Sequence, residues 1–252
     1  MRITTYKELD EFIKAFAEGH LGFVVVISRG GLGKSERALQ TLKDALVFKG
    51  RASAVAIHNT LAENPKSLVV LDDIPALFSD GNTLATLLQV CETKEDKLVT
   101  YHTASPLVLE QQFISNNKVL VLANSLKHKN PLVEALLTRG LMVRFEPSND
   151  EVMSQLREWG EDKEIVEFIA GIGRHVPLNF RMYMTSVALK NAGLDWKNYL
   201  HKEYEMCIDE EVVRNIQLLP VPDRNKQWVE ATGKSTRTYL RIYNAMVAEG
   251  RL

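Results

Sequence analysis

Phe23-Val24-Val25-Val26-Ile27-Ser28-Arg29-Gly30-Gly31-Leu32-Gly33-Lys34-Ser35 is the stretch on which the fold turns. Its first five residues are aromatic or β-branched with no polar break. That is the pattern of a strand buried on both faces, as in a parallel sheet. The Gly-rich segment Ser28 to Gly33 follows, and a helix predicted from Lys34 to about Phe48 closes the unit. Small residues in such a loop let successive backbone N–H groups point at phosphate oxygens. A Lys then meets the β- and γ-phosphates, and a hydroxyl holds Mg²⁺. The helix N-terminus adds partial positive charge. Gly30, Gly31, Leu32, Gly33, Lys34 and Ser35 are therefore the candidate nucleotide-binding residues, with ATP and Mg²⁺ as candidate ligands. In the GxxxxGK[ST] pattern the first glycine is replaced by Ser28, and Gly30 and Gly31 keep the loop permissive. The competing reading, a strand–helix turn that merely contains Gly-Lys-Ser, is weakened by the strand before it and the helix after it.

Working outward, a helix is expected over 6–18, with Leu9, Phe12, Ile13 and Phe16 at helical spacing. Further strands are expected at Ala52 to Ile57, Leu68 to Leu71, Lys118 to Ala123 and Leu141 to Phe145. Helices are expected at about 82–91 and 131–138, the latter with Pro131 near its start. Strands alternating with helices imply a parallel sheet with helices on both faces.

Two strand ends carry further chemistry. Leu68-Val69-Val70-Leu71 runs into Asp72-Asp73. The first acid is placed to hold the Mg²⁺ shell, and the second to polarise an attacking water. Many such ATPases carry Glu in the second place, and Asp is one methylene shorter. A solvated strand end is the bland reading of either acid alone. The strand Val119 to Ala123 ends in Asn124, placed to orient water against a γ-phosphate; an Asn there is also a common turn former.

Composition narrows the class. The 252 residues are 45% hydrophobic and 25% charged, with 31 Lys+Arg against 32 Asp+Glu and a net charge of −1. These are ordinary globular values and exclude a disordered or collagen-like chain. The two cysteines, Cys91 and Cys207, make neither a disulfide scaffold nor a four-Cys zinc site. No apolar run approaches the ~20 residues that cross a bilayer. The N-terminus lacks the apolar region of a signal peptide, so a cytoplasmic protein without a membrane is expected. The near-zero sum hides opposed regions: acids concentrate around 146–167 and 203–211, and a basic cluster lies near the C-terminus.

After Pro147 only helical periodicity remains, at about 149–159, 162–170, 178–192 and 195–218. Leu219-Pro220-Val221-Pro222 reads as a short stiff linker, followed by helices at about 223–231 and 235–249. The organisation expected is a P-loop core at 1–147, a helical lid at 148–219 and a helix-turn-helix-like segment at 220–252. Gly233-Lys234-Ser235-Thr236 also spells a phosphate-loop fragment, but no buried strand precedes it. Thr232-Gly233 serves better as a turn, with Ser235 or Thr236 capping the next helix. On that helix Lys234, Arg237, Arg241 and Asn244 share one side. A basic face at a helix N-terminus suits DNA; packing on the lid or on another subunit is the alternative.

The order of strand, phosphate loop, acid-tipped strand, Asn-tipped strand and helical lid resembles the AAA+ ATPase family over about residues 20–195. The segment from Val99-Thr100-Tyr101-His102 to Phe113, followed by the Asn124 strand, also looks like phage-encoded ATPases of this class. The resemblance implies a five-stranded parallel sheet with a helical lid. It places Lys34 and Ser35 in Walker A, Asp72 and Asp73 in Walker B, and Asn124 at sensor 1. Arg139 matches the arginine finger that reaches a neighbouring subunit, with Arg144 the weaker candidate, and Arg181 matches sensor 2. It further implies ATP hydrolysis with Mg²⁺ in a ring or filament acting on DNA or on a DNA-bound protein complex. An ATP-dependent switch or DNA-binding regulator with slow hydrolysis, as in transposition regulators and helicase loaders, is the alternative favoured by Asp at position 73. Two departures stand out. The short span His58 to Ser67 implies a stunted second helix. Extra residues between Cys91 and Lys118 suggest an inserted hairpin or an ordinary surface excursion.

Overall fold

Val24, Val25 and Val26 are each at most 1% exposed, and the run Phe23–Ile27 forms strand β2. The computed structural model describes residues 1–74, 77–125, 130–173, 176–217, 219–248 and 252, apart from the side chains of 205–208 and 211. Two units are distinguished, Met1–Ser148 and Asn149–Leu252.

In the first unit β2 lies between β8 (Leu141–Phe145) and β7 (Lys118–Ala123). Beyond β7 come β4 (Leu68–Asp72) and β3 (Leu46–Lys49), and beyond β8 the two-residue edge strand β1 (Arg2–Ile3). All these pairings are parallel. The helices are α1 (Tyr6–Ala17), α2 (Lys34–Thr41), α3 (Ala54–Glu63), α4 (Gly81–Val90) and α5 (Pro131–Leu137). One sheet face, with Val25, Ile27, Val69, Leu71, Val119 and Val121, packs on Ile57 and Leu61 of α3, Leu84 and Leu87 of α4, and Val133 and Leu136 of α5. The alternate residues Val24, Val26, Val70, Leu120 and Leu122 are buried as well, so both faces are covered. On that second face Tyr6 of α1 meets Phe145 edge-on, with ring centroids 5.0 Å apart. Burying such apolar side chains contributes ~1.5–3 kcal/mol each.

The sheet has six strands rather than the five expected: four of the expected strands, β3, and β1, which is too short to leave a periodic signal. One strand lies elsewhere than predicted. Ala52 to Ile57 is not a strand: Ser53 accepts a hydrogen bond from the Ala56 N–H and caps α3, which runs from Ala54. The helix expected to reach Phe48 stops at Thr41, and Leu46–Lys49 is the strand, with Leu46 and Phe48 turned toward the core. The second helix is accordingly ten residues long rather than stunted. The inserted residues form an antiparallel hairpin, β5 (Lys97–Thr100) with β6 (Gln112–Ser115). Lys97 fixes it, donating from its buried Nζ to the carbonyls of Val90 and Asn117, each at 2.9 Å.

The second unit is helical: α6 (Asn149–Trp159), α7 (Lys163–Ile172), α8 (Phe180–Asn191), α9 (Trp196–Ile216), α10 (Val221–Thr232) and α11 (Thr236–Ala248). The predicted stiff linker is in part helix, since Pro222 sits in the first turn of α10, where a missing N–H costs nothing. Gly233 ends α10 in the left-handed region at φ 68°. Val213 and Ile216 of α9 share a core with Trp228, Tyr239, Ile242 and Met246, so α10 and α11 pack on the end of α9. Trp228 is fully buried and donates its indole N–H to the Ser235 carbonyl at 3.0 Å, which fixes the turn. No described helix is long and apolar enough to cross a membrane.

Gly140 offers a direct check on the packing of β8 against β2. A Cβ there would stand 2.7 Å from the Phe23 carbonyl oxygen, a backbone atom that cannot step aside. Gly140→Ala is expected to lower the unfolding free energy by about 1–3 kcal/mol, read by urea denaturation.

Candidate functional site

The site grows from the register of three neighbouring strands. Ile27 of β2 pairs with Ala123 of β7, and Asp72 of β4 pairs with Leu122 of β7. The loops after these strands therefore leave the sheet side by side at its carboxyl edge, where open α/β sheets bind ligands. Two backbone bonds carry the alignment beyond the strands. Ser28 N–H donates to Ala123 O at 3.1 Å, and Asp73 N–H donates to Leu122 O at 3.0 Å. Residues far apart in sequence meet for this reason.

In the phosphate loop Gly31 and Gly33 have φ of 77° and 76°. A Cβ in that region costs ~1–2 kcal/mol, which accounts for glycine at both places. Leu32 between them is 1% exposed and anchors the loop in the core. Ser28, standing where the motif has its first glycine, is buried and donates from Oγ to the Arg29 carbonyl at 3.1 Å. Gly33 is the N-cap of α2 and has no side chain to bond the first-turn N–H groups. A helix start of this kind is suited to hold an anion on its first-turn N–H groups.

The side chains form two linked pairs. Ser35 Oγ donates to Asp72 Oδ1 at 2.7 Å. Lys34 Nζ donates to Asn124 Oδ1 at 2.6 Å, and the same carboxamide donates from Nδ2 to both oxygens of Asp73, at 2.9 and 3.0 Å. Asn124 thus ties the loop lysine to the second acid. Asp73 takes φ 46°, an uncommon region for a residue with a side chain, and turns its carboxylate toward Asn124. A cavity of about 430 Å³ opens beside them, lined by Asp73, Ile74, Phe78 and Asn124 among others.

One participant is absent from the sequence expectations. Lys49, at the end of β3, lies with Nζ 3.6 Å from Asp72 Oδ2. Its signal is the short strand Leu46 to Lys49 ended by Gly50, which local periodicity assigns to a helix. The side chains present fit a metal–nucleotide complex: Ser35 and Asp72 offer oxygen ligands, and hard divalent cations take the rest from phosphates and water. Among the described residues no group of three or more His, Cys, Asp or Glu is placed to hold a metal by itself.

Arg139, in the same unit, is bonded outside this cluster. Arg139 follows α5 and donates from Nη1 to Ala135 O at 3.0 Å. It precedes β8, whose Leu141 pairs with Val24, so it stands at the opposite edge of the sheet from Lys34, ~20 Å away at the rise of a strand. Its charge acts on Cys91, whose buried thiol is pushed up to about 12 mainly by desolvation. Arg144 is exposed within β8, and Arg181 is exposed in the first turn of α8, which Asn179 caps. On α11 Arg237, Arg241 and Asn244 are exposed on one face. Lys234 departs from that set: its Nζ is 3.0 and 2.8 Å from the two oxygens of Asp209 on α9. It neutralises a buried acid and locks the turn, which corrects its place in the basic face.

No protein-family model and no curated protein matches the chain. Among solved structures, a DNA replication initiation factor matches at 19% identity over 88% of this chain and 74% of its own, with a TM-score of 0.43. NtrX from Brucella abortus, solved in complex with ADP, matches at 10% identity over 97% of this chain and 68% of its own, with a TM-score of 0.40. The fold itself is a parallel α/β sheet in the order β1-β8-β2-β7-β4-β3, followed by a helical region.

Asp72 is 1% exposed, so its hydroxyl partner matters. Ser35→Ala is expected to cost about 1.5–3 kcal/mol of stability, the worth of a hydrogen bond to a buried charge. Ser35→Thr keeps the donor and is expected to stay near wild type in the same thermal denaturation.

Proposed function

We propose that the chain is a Mg²⁺-dependent ATPase that works as an oligomer on DNA or on a DNA-bound protein complex. The observation that carries this reading is the joined set Ser35–Asp72 and Lys34–Asn124–Asp73 in front of an uncapped helix N-terminus. In it, the N–H groups of Gly31 to Ser35 bind the phosphates, and the Lys34 ammonium leaves Asn124 for the β- and γ-oxygens. Ser35 and Asp72 hold Mg²⁺, which when bound neutralises the phosphate charge. Asp73 accepts a hydrogen bond from a water and takes its proton. The water oxygen bonds the γ-phosphorus as the bond to the bridging oxygen breaks and ADP leaves. Asn124 positions that water. Charge neutralisation and positioning supply most of the acceleration in such reactions. In this reading Arg139 acts in a neighbouring subunit's site, as the family resemblance implies.

A second reading is favoured by one observation: both Asp73 oxygens are engaged by Asn124, and the side chain is short. In this reading ATP binding drives assembly and hydrolysis is slow. Lys34→Ala is expected to abolish ATP binding and turnover, and full turnover in that variant contradicts both readings. Asp73→Asn is expected to keep ATP binding and to lose turnover by about 100-fold or more. A wild type that assembles with ATP and barely turns it over favours the switch.

For DNA, the supporting feature is the exposed face of Arg237, Arg241 and Asn244 on α11, the second helix of a pair joined by a tight turn. Arg237→Ala with Arg241→Ala is expected to weaken duplex binding and to reduce the slope of log Kd on log salt by about 2, one for each phosphate no longer neutralised. An unchanged slope removes this face from the reading.

A further inference from the structure

Asp72 faces two partners at once. Oδ1 accepts from Ser35 Oγ at 2.7 Å, and Oδ2 lies 3.6 Å from Lys49 Nζ. The backbone sets this pairing, because Lys49 and Asp72 are opposite each other in the register of β3 and β4. Gly50 N–H then donates to the Asp72 carbonyl at 3.4 Å and closes the turn away from the sheet. The two partners differ in freedom: the Asp72 side chain is 1% exposed and that of Lys49 is 67% exposed. A carboxylate this buried is costly without opposite charge beside it. Lys49 supplies that charge from the solvent side, on a long stem that packing does not hold.

We infer that Lys49 is a built-in competitor for the divalent cation at Asp72 and makes metal capture depend on nucleotide. This inference rests on the reading of Asp72 as the metal-holding acid. A metal bridging Ser35 and Asp72 brings two positive charges next to the ammonium, and the same carboxylate charge cannot fully serve both. Asp72 and Ser35 alone then hold a divalent cation weakly. With a nucleotide in the loop, phosphate oxygens add ligands and negative charge, the balance tips to the metal, and the Lys49 head swings outward. Lys49 is thus a positioning residue that acts through Asp72. It keeps the buried acid compensated and sets the metal concentration at which the site closes on its ligand.

The test is a Mg²⁺ titration of ADP binding by the full chain, read by calorimetry, which needs no turnover. Lys49→Met keeps the stem and removes the charge. Its half-effective Mg²⁺ concentration is expected to fall by roughly three- to ten-fold, the size of one charge repulsion removed near the surface. Lys49→Gln is expected to fall likewise, and Lys49→Arg to stay at the wild-type value. A half-effective concentration in both neutral variants equal to or above that of wild type, with Mg²⁺ still enhancing ADP binding, overturns the role of Lys49 and leaves the nucleotide site standing. ADP binding that ignores Mg²⁺ in wild type and variants alike overturns both.

Discussion

A one-residue slip of β7 against β2 or β4 would turn every side chain of that strand to the opposite face. The observed register, Ile27 with Ala123 and Asp72 with Leu122, is held by residues buried on both faces, and no slip is tolerable there. From it follows the rest of the site. The loop at Ser28 to Gly33, the acids at 72 and 73, and Asn124 emerge at one height, and the carboxamide of Asn124 spans the gap between Lys34 and Asp73. The apolar sheet is what positions the polar chemistry.

The polar groups are few and heavily committed. Lys34 and Asp72 are both nearly inaccessible to water, and buried charges are tolerated only when paired. Ser35, Asn124 and Lys49 do that pairing, each through a bond that a phosphate, a metal or solvent is able to replace. Part of the local backbone cost falls at the same place: Gly31 and Gly33 adopt left-handed φ in the phosphate loop, and Asp73 adopts it beside Asn124, while Asp96 and further glycines adopt it elsewhere.

The phosphate loop is legible in the sequence because several constraints coincide in it: a buried strand, glycines where φ is positive, and a helix start. Asp72 and Asn124 are legible as polar ends of apolar strands. The stretch 42–57 is not. Ala52 to Ile57 is small and apolar, and nothing local separates a half-buried strand from a helix; the Ser53 cap and the burial of Ile57 and His58 decide it. Without β3 in its true place, Lys49 is invisible beside Asp72, since their meeting depends on sheet order. Periodicity alone puts Lys234 on the exposed face of its helix, while its partner Asp209 lies on another helix, beyond any local pattern. Such departures arise where long-range packing overrides local preference.

Lys34, Ser35, Asp72, Asp73 and Asn124 are proposed to form one metal–nucleotide site. A crystal structure of the chain with ADP and Mg²⁺ tests it most directly. Phosphates are expected against the N–H groups of Gly31 to Ser35, the metal on Ser35 Oγ with Asp72 beside it, and Lys34 Nζ moved from Asn124 to a phosphate oxygen. Nucleotide bound elsewhere on the molecule, with Lys34 still on Asn124, would contradict it.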